Sequence, residues 1–226
     1  MTSRIIFNLT AFFILINCLT ITSANEPEEC EYWAEVGECE KNPGYMLNNC
    51  AKACAKVDNS MNEDIGDIGS FFDLSANDID GNEVNFDVFR GMVTIVVNVA
   101  SYCGYTESHY RELVALHEDL KKTEMVEIVA FPCNQFGQQE PEPCPAIKKF
   151  AERKGVQFRM MDKIDVNGPT THRVYKFLKK MAGPSRIEWN FATYFVISPD
   201  GYVQSFNGVL PSQLKDVAVN LLQMEL

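Results

Sequence analysis

The sequence predicts a mixed α/β sandwich that follows a small disulfide-rich module. From Phe71 onward, apolar β-branched segments alternate with segments of helical periodicity, which is typical of helices packed on a sheet. Before that point four cysteines lie close together, at Cys30, Cys39, Cys50 and Cys54. The chain of 226 residues is long enough for one ordinary domain and such a module.

Residues 1–24 are predicted to be a signal peptide. A basic start at Arg4 precedes the apolar stretch IIFNLTAFFILINCLT, and the small residues Ser23 and Ala24 mark its exit. An uncleaved membrane anchor is the alternative, because the stretch is near the lower length for crossing a bilayer. Asn8 and Asn17 interrupt it and favour cleavage, so we expect a secreted or endoplasmic-reticulum lumenal protein without a membrane attachment.

The C-terminal residues indicate whether the exported protein is secreted or kept in the lumen of the endoplasmic reticulum. The chain ends in QMEL, which resembles a retrieval signal of the KDEL type, but Met224 occupies the acidic position. We therefore expect secretion, with lumenal residence as the alternative. The formal net charge of −11 argues against nucleic acid or an anionic membrane surface as a partner.

Residues 25–56 are predicted to be the disulfide module. Closely spaced cysteines in a short exported segment indicate disulfides that replace a hydrophobic core. A zinc site is the alternative, but only Cys50 and Cys54 approach the usual spacing of zinc ligands. The cysteine positions alone leave the pairing open. Residues 57–68 are polar and acidic and are predicted to be a linker to a domain at 69–226.

The stretch CEYWAEVGECEKNPGYMLNNCAKAC resembles the ShK-toxin-like (ShKT) domain, notably in Cys30-x-x-Trp33 and in Tyr45-Met46. The first and last cysteines of that family's pattern are absent, which removes one complete bridge. The resemblance implies the pairs Cys30–Cys50 and Cys39–Cys54. Gly44 stands where channel-blocking members have Lys, so we expect an accessory or binding module of unassigned function.

Each element of the second domain has its own signal. FFDLSANDIDGNEVNF predicts two short strands around Asp80-Gly81, and TYFVISPDGYVQSF predicts a hairpin at Asp200-Gly201. MVTIVVNVA and VEIVAFPC are apolar without alternation, as buried strands are. Helices are predicted in TESHYRELVALHEDLKK with Thr106 as N-cap, in PAIKKFAERKG opened by Pro145, in PTTHRVYKFLKKMAG and in PSQLKDVAVNLLQM. This order indicates a thioredoxin-like fold.

Cys103 follows the first buried strand and precedes a helix. Ligands and chemistry gather at this carboxyl edge of an α/β sheet, where backbone N–H groups and the helix end stabilise a thiolate. A buried structural thiol is the alternative on position alone.

Three motifs resemble the signatures of the glutathione peroxidase family: NVASYCGYT, FPCNQFGQQEP and WNF. The resemblance covers about Phe71 to Leu222 and is closest to the catalytic-cysteine type, particularly its endoplasmic-reticulum branch. It implies that Cys103 is the peroxidatic residue and that Gln139, Trp189 and Asn190 complete a catalytic tetrad.

The implied chemistry suits these residue types. A Cys103 thiolate attacks the O–O bond of hydrogen peroxide or an organic hydroperoxide and becomes a sulfenic acid. Amide and indole N–H groups can stabilise the departing oxygen. Taken singly, Trp189 could be a core aromatic and Gln139 and Asn190 polar loop residues; only the joint match favours catalysis. No cofactor is expected, and the three histidines, His109, His117 and His172, have no metal-site spacing.

The reductant is expected to be a protein dithiol, such as a disulfide isomerase or thioredoxin, with glutathione acting weakly. Tyr105, Thr193 and the segment YVQSF stand where glutathione users carry basic residues. The short loop between Met181 and Trp189 predicts a monomer. Two alternatives remain: an oxidant that passes disulfides through a disulfide isomerase, and an ShKT-based binding protein with vestigial peroxidase activity.

The family's usual resolving cysteine is missing, since Ala151 lies near its place. Cys144 is predicted to attack the Cys103 sulfenic acid, because an N-cap position before Pro145 favours a thiolate. Cys133 is expected to pack in the core. A Cys103–Cys133 bridge, a Cys133–Cys144 bridge and the absence of any internal bridge are the alternatives.

Overall fold

The computed structural model describes residues 26–66, 68–184 and 186–223, without the side chains of 58–64. The predicted signal peptide and the C-terminal residues 224–226 lie outside the described residues, so the expectations about export and retrieval stay predictions. Within the described ranges, no helix combines the length and the apolar character needed to cross a membrane.

The N-terminal module is a group of helices held by two disulfides. Its helices are α1 (Cys30–Glu35), α2 (Glu38–Lys41), α3 (Pro43–Asn49) and α4 (Ala51–Asp64). The structure joins Cys30 to Cys50 and Cys39 to Cys54, as the ShKT resemblance implies. The buried core consists of little more than these sulfurs and a few small or flexible side chains: Ala34, Met46 and Ala53. The helix α4 runs to Asp64, inside the segment predicted as a linker.

The second domain is built on a mixed sheet. Its order is β5-β4-β3-β6-β7, with β3 and β4 parallel, β4 and β5 parallel, and β6 antiparallel to both β3 and β7. The strands are β3 (Val93–Val99), β4 (Val126–Pro132), β5 (Arg159–Met160), β6 (Thr193–Ile197) and β7 (Val203–Asn207). The short strand β5 was not predicted, because two residues leave no periodicity to detect.

A separate hairpin precedes the sheet, with strands β1 (Ser75–Asn77) and β2 (Glu83–Asn85). Its turn is where the sequence predicts it: the carboxylate of Asp78 accepts the N–H groups of Asp80 and Asn82, and Gly81 has φ +84°. Residues 71–73, predicted as part of a strand, instead form a 3-10 turn.

Helices cover both faces of the sheet. One face carries α5 (Thr106–Leu120), α6 (Cys144–Arg153) and α8 (Leu214–Gln223), and the other carries α7 (Arg173–Ala182) with the phenylalanine-rich segment before β3. The odd-numbered residues of β3 face the first layer, while Val96 faces the second. This is a thioredoxin-like fold, and it places the ends of β3 and β4 side by side.

Candidate active site

A tight turn between β3 and α5 fixes Cys103. The Cys103 N–H donates to the Thr106 hydroxyl at 3.0 Å, and that hydroxyl donates to the carbonyl of Ala100 at 2.7 Å. Thr106 is the first residue of α5 rather than its N-cap, which is Tyr105, and its hydroxyl closes the turn. Cys103 lies beyond the carboxyl end of the central strand and is 8% exposed, so only a small part of the residue is open to a reactant.

The loop after β4 brings Gln139 to the same edge. Gly137 and Gln138 have φ of +57° and +53°, two successive left-handed residues that reverse the chain. The N–H of Tyr102, which precedes Cys103, donates to the Gln139 carbonyl at 3.0 Å. A positive φ is costly for Gln138, so the surrounding contacts must hold this conformation.

Asn190 lies at the centre of a hydrogen-bond network. It is fully buried, and its Nδ2 donates to the Cys133 carbonyl at 3.2 Å and to Gln139 Oε1 at 3.5 Å. Its Oδ1 accepts from Nδ2 of Asn98 at 3.0 Å, and Phe191 adopts a left-handed φ of +63° beside it. Asn190 was expected to supply an amide to the reaction. In the structure that amide contacts the Cys133 carbonyl and the Gln139 side chain, and its catalytic role stays a prediction.

Trp189 is at the surface. Its side chain is 39% exposed, and its ring lies 5.7 Å from that of Phe136. The Trp189 carbonyl accepts from Asn98 Nδ2 at 3.2 Å, which ties β3 to the loop that carries the tryptophan. The core-aromatic alternative for Trp189 is therefore wrong, and its indole is accessible to a reactant.

Glu140 and Asn98 are functional candidates that sequence reasoning missed. Glu140 is fully buried, and its Oε2 accepts from the hydroxyl of Ser101, two residues before Cys103, at 3.2 Å. Burial raises the pKa of Glu140 from an ordinary value of 4.5 to about 6. Within the described part of the chain, the buried Oε1 has no hydrogen-bond partner. The sequence signal was present, since both residues lie within motifs already singled out.

The histidines have structural surroundings. Nδ1 of His109 lies 2.7 Å from the hydroxyl of Tyr194, and burial lowers the pKa of this imidazole. His172 caps α7 by accepting the N–H of Val174. Among the described residues, no group of three or more His, Cys, Asp or Glu is arranged to hold a metal ion.

The two other free thiols differ in position. Cys133 is fully buried in the cluster on the opposite face of the sheet from Cys103, and burial raises its pKa to about 12. Cys144 lies at the edge of the cluster that contains Cys103. It is the first residue of α6, after Pro143, rather than an N-cap.

The expected thiolate character of Cys144 is wrong for this arrangement. Its sulfur donates to Oδ1 of Asp162 at 2.8 Å. Burial, followed by the hydrogen bond to the Asp162 carboxylate, raises the pKa of Cys144 above its ordinary value.

Comparison with known proteins agrees with both motif resemblances. A family model described as glutathione peroxidase matches residues 71–179, and one described as ShK domain-like matches residues 17–56. Glutathione peroxidase 7 of Homo sapiens is 46% identical over 134 residues, which span 59% of this chain and 70% of that protein. The chain belongs to the glutathione peroxidase family.

Two further relatives define the extent of the match. A putative chloroplastic glutathione peroxidase 7 of Arabidopsis thaliana is 50% identical over 131 residues, covering 56% of this chain and only 56% of that protein. The crystal structure of Trgpx in apo form superposes with a TM-score of 0.57 at 34% identity, covering 69% of this chain and 97% of that one. The thioredoxin-like fold is thus shared, the chain spans about half the length of the chloroplastic relative, and the ShK-like module lies outside the glutathione peroxidase match.

Proposed function

We propose that this protein is a thiol peroxidase of the secretory pathway, with Cys103 as the peroxidatic residue. The junction of the Cys103 turn with the Gln139 loop, through the Tyr102 N–H and the buried Asn190, is the observation that carries the proposal. These bonds support the proposal because they join the turn that holds Cys103 to the loop that carries Gln139 at one edge of the sheet.

The first step transfers oxygen to sulfur. The Cys103 thiolate attacks a hydroperoxide, the terminal OH becomes that of a sulfenic acid, and the other oxygen leaves as hydroxide or alkoxide and takes up a proton. Because Asn190 engages the Oε1 of Gln139, the NH₂ group of Gln139 is left for the reactant side. We assign that NH₂ group and the Trp189 indole N–H as donors to the departing oxygen, and Asn190 as a positioning residue.

Regeneration consumes a dithiol. One thiol attacks the sulfenic sulfur and water leaves; the second thiol then attacks the mixed disulfide, which frees the Cys103 thiol and oxidises the dithiol. The exposed side chains flanking Cys103 are Tyr102 and Tyr105, at 62% and 53% exposure, rather than basic residues. This rim favours a protein dithiol over the anionic glutathione.

Cys144 can take part as an internal resolving thiol. It borders the same cluster as Cys103, whereas the buried Cys133 packs on the other face of the sheet. An attack by Cys144 on the sulfenic acid would release water and form a disulfide that an external dithiol then reduces. Mass mapping of non-reduced peptides after one equivalent of peroxide tests this: a Cys103–Cys144 peptide is expected, and normal cycling of a Cys144→Ser variant with a protein reductant would refute it.

The decisive experiment measures peroxide consumption with glutathione, thioredoxin and reduced disulfide isomerase in turn. Cys103→Ser is expected to abolish turnover, and Gln139→Ala to slow Cys103 oxidation about a hundredfold, as loss of a preorganised donor does. Gln138→Asn is the matched control, since Gln138 is an exposed neighbouring amide and Asn tolerates its left-handed backbone. Wild-type peroxide consumption by Cys103→Ser would refute the assignment.

Export and assembly are part of the same proposal. The apolar N-terminal stretch supports export, and two disulfides suit an oxidising compartment. The short loop between Met181 and Trp189 supports a monomer. An internally tagged protein is expected in the medium, and complete retention inside cells would contradict secretion. Sedimentation of the purified protein tests the monomer.

A further inference from the structure

The ShK-like module packs against the peroxidase domain beside the active site. The Glu40 carboxylate forms an ion pair with Lys179 at 3.1 Å, with the two side chains only 17% and 8% exposed. The same carboxylate accepts the N–H of Gly168 at 3.4 Å. Gly37 has φ +83°, and a Cβ there would lie 3.5 Å from the Gly168 Cα, so the two backbones approach closely. These contacts fix the module on α7 and on the loop before it.

A cleft of about 360 Å³ lies between the two parts. We call it the interdomain cleft; Val36 and Gly37 line it on the module side, and Phe136, Asn167 and Arg186 line it on the other. Phe136 is also the residue whose ring lies 5.7 Å from that of Trp189. One wall of the cleft is thus in contact with the indole assigned to the reaction.

The module continues this surface with aromatic side chains. Val36 also borders a second concavity of about 440 Å³, lined by Tyr32, Trp33 and Tyr45. We call these four residues the aromatic face. Tyr32, Val36 and Tyr45 are 63%, 40% and 43% exposed, and the rings of Trp33 and Tyr45 meet edge to face at 5.8 Å. Exposed aromatic groups on a rigid base are typical of surfaces that bind other proteins.

The charged residues at the interdomain cleft favour a polypeptide over a lipid as its occupant. Glu35 and Arg186 both line it, and within the described part of the chain neither has an ion-pair partner on an oppositely charged side chain. A polypeptide can offer a basic side chain to Glu35 and a carboxylate or carbonyl oxygen to Arg186. A lipid acyl chain satisfies neither charge, and the acidic residues of the module disfavour an anionic membrane.

We infer that the interdomain cleft and the aromatic face together form the docking surface for the polypeptide dithiol that reduces oxidised Cys103. This inference rests on the proposed function and names the partner's mode of attachment. An apolar segment of the partner packs on the aromatic face, a neighbouring segment of mixed charge enters the cleft, and the reactive thiol is delivered past Phe136 and Trp189. Two reductant thiols are oxidised to a disulfide, while the Cys103 sulfenic acid becomes a thiol and water.

The test compares two substitutions that add the same charge to the module of the full mature chain. Val36→Glu alters the junction of the cleft and the aromatic face, while Leu47→Glu alters an exposed apolar residue that lines neither. For each variant, kcat/KM is measured with reduced thioredoxin, reduced disulfide isomerase and dithiothreitol. We expect Val36→Glu to lower the ratio of the better protein to dithiothreitol about tenfold, and Leu47→Glu to leave that ratio unchanged.

Each of the other outcomes refutes either the docking surface or the proposed function. Turnover with every reductant but an unchanged ratio in Val36→Glu refutes the docking surface and leaves the peroxidase intact. Equal losses in both variants, or dithiothreitol outperforming both proteins in the wild type, also refute it. A Val36→Glu effect on phosphatidylcholine hydroperoxide in vesicles, without an effect on the dithiol, assigns the surface to a lipid instead. No turnover with any thiol refutes the proposed function itself.

Discussion

The two parts of this chain use cysteine in opposite ways. In the ShK-like module all four cysteines are bonded in pairs and make up much of a very small core. In the thioredoxin-like domain three cysteines remain free: Cys103 at the sheet edge, Cys133 in the core and Cys144 at a helix start. The domain buries enough apolar surface on both faces of its sheet to fold without cross-links, so its sulfurs are available for chemistry or packing.

Removing a disulfide from the module tests whether the module depends on its cross-links while the thioredoxin-like domain does not. Replacing Cys39 and Cys54 together by Ala removes the constraint on a loop with a sequence separation of 15, which costs about 3 kcal/mol of unfolding free energy. Hydrogen exchange is expected to show lost protection in α1–α4, with the central strands β3 and β4 unchanged. Equal loss of protection in the module and in β3 would show that the two parts unfold as one unit, contrary to this comparison.

In the thioredoxin-like domain, the buried carboxyl of Glu140 makes the stability depend on pH. A buried carboxyl with a folded-state pKa of about 6 and an ordinary value of 4.5 binds its proton more tightly in the folded state. Its contribution is therefore most favourable below pH 4.5 and is lost as pH rises through 6. Glu140→Gln removes this dependence, so the variant is expected to be more stable than the wild type at pH 7.5, by at most about 2 kcal/mol.

Urea unfolding between pH 4 and pH 8 measures the effect of Glu140→Gln. The difference between variant and wild type is expected to vanish toward pH 4. Glu152→Gln, at an exposed residue that does not contribute to the pKa shift of Glu140, should follow the wild type throughout. A variant that is less stable than the wild type at pH 7.5 would mean that the ionised carboxylate is the form required by Ser101 and its surroundings.

Regular elements with strong patterns were predictable from the sequence. The strands β3 and β4 are long apolar runs, α5 has a clear helical period, and the hairpin turn has its Asp80-Gly81 signal. The errors lie where a single hydrogen bond decides. Thr106 carries the right residue type for an N-cap, yet its hydroxyl serves the Cys103 turn instead.

The candidate site was likewise predictable only in part. Cys103, Gln139, Trp189 and Asn190 were named from the motif resemblance, whereas the supporting contacts depend on residues far apart in the chain. Asn98 and the Trp189 carbonyl are separated by 91 positions, and no local pattern encodes that bond. The burial of a polar residue also cannot be predicted from its residue type alone, which is why Glu140 was missed.

The smallest expected effect comes from a change beside Cys144. This free cysteine is proposed to form a disulfide during the reaction, so it connects the two uses of cysteine. In the wild type its sulfur donates to Asp162, and the raised pKa keeps it a thiol near neutral pH. Asp162→Asn removes the negative charge and keeps an oxygen that can accept the N–H of Lys163. The pKa of Cys144 should therefore fall, the thiolate fraction should rise, and a Cys103–Cys144 disulfide should form a few times faster after a peroxide pulse.

Acid quenching, alkylation and mass spectrometry at successive times measure the rate of disulfide formation in Asp162→Asn. The matched control is Asp162→Asn combined with Cys144→Ser, which should form no internal disulfide while still oxidising Cys103. An unchanged rate in Asp162→Asn would mean that ionisation of Cys144 does not limit resolution. If the disulfide is absent in both the wild type and Asp162→Asn, Cys144 is a packing residue held by Asp162, and an external dithiol alone must reduce Cys103.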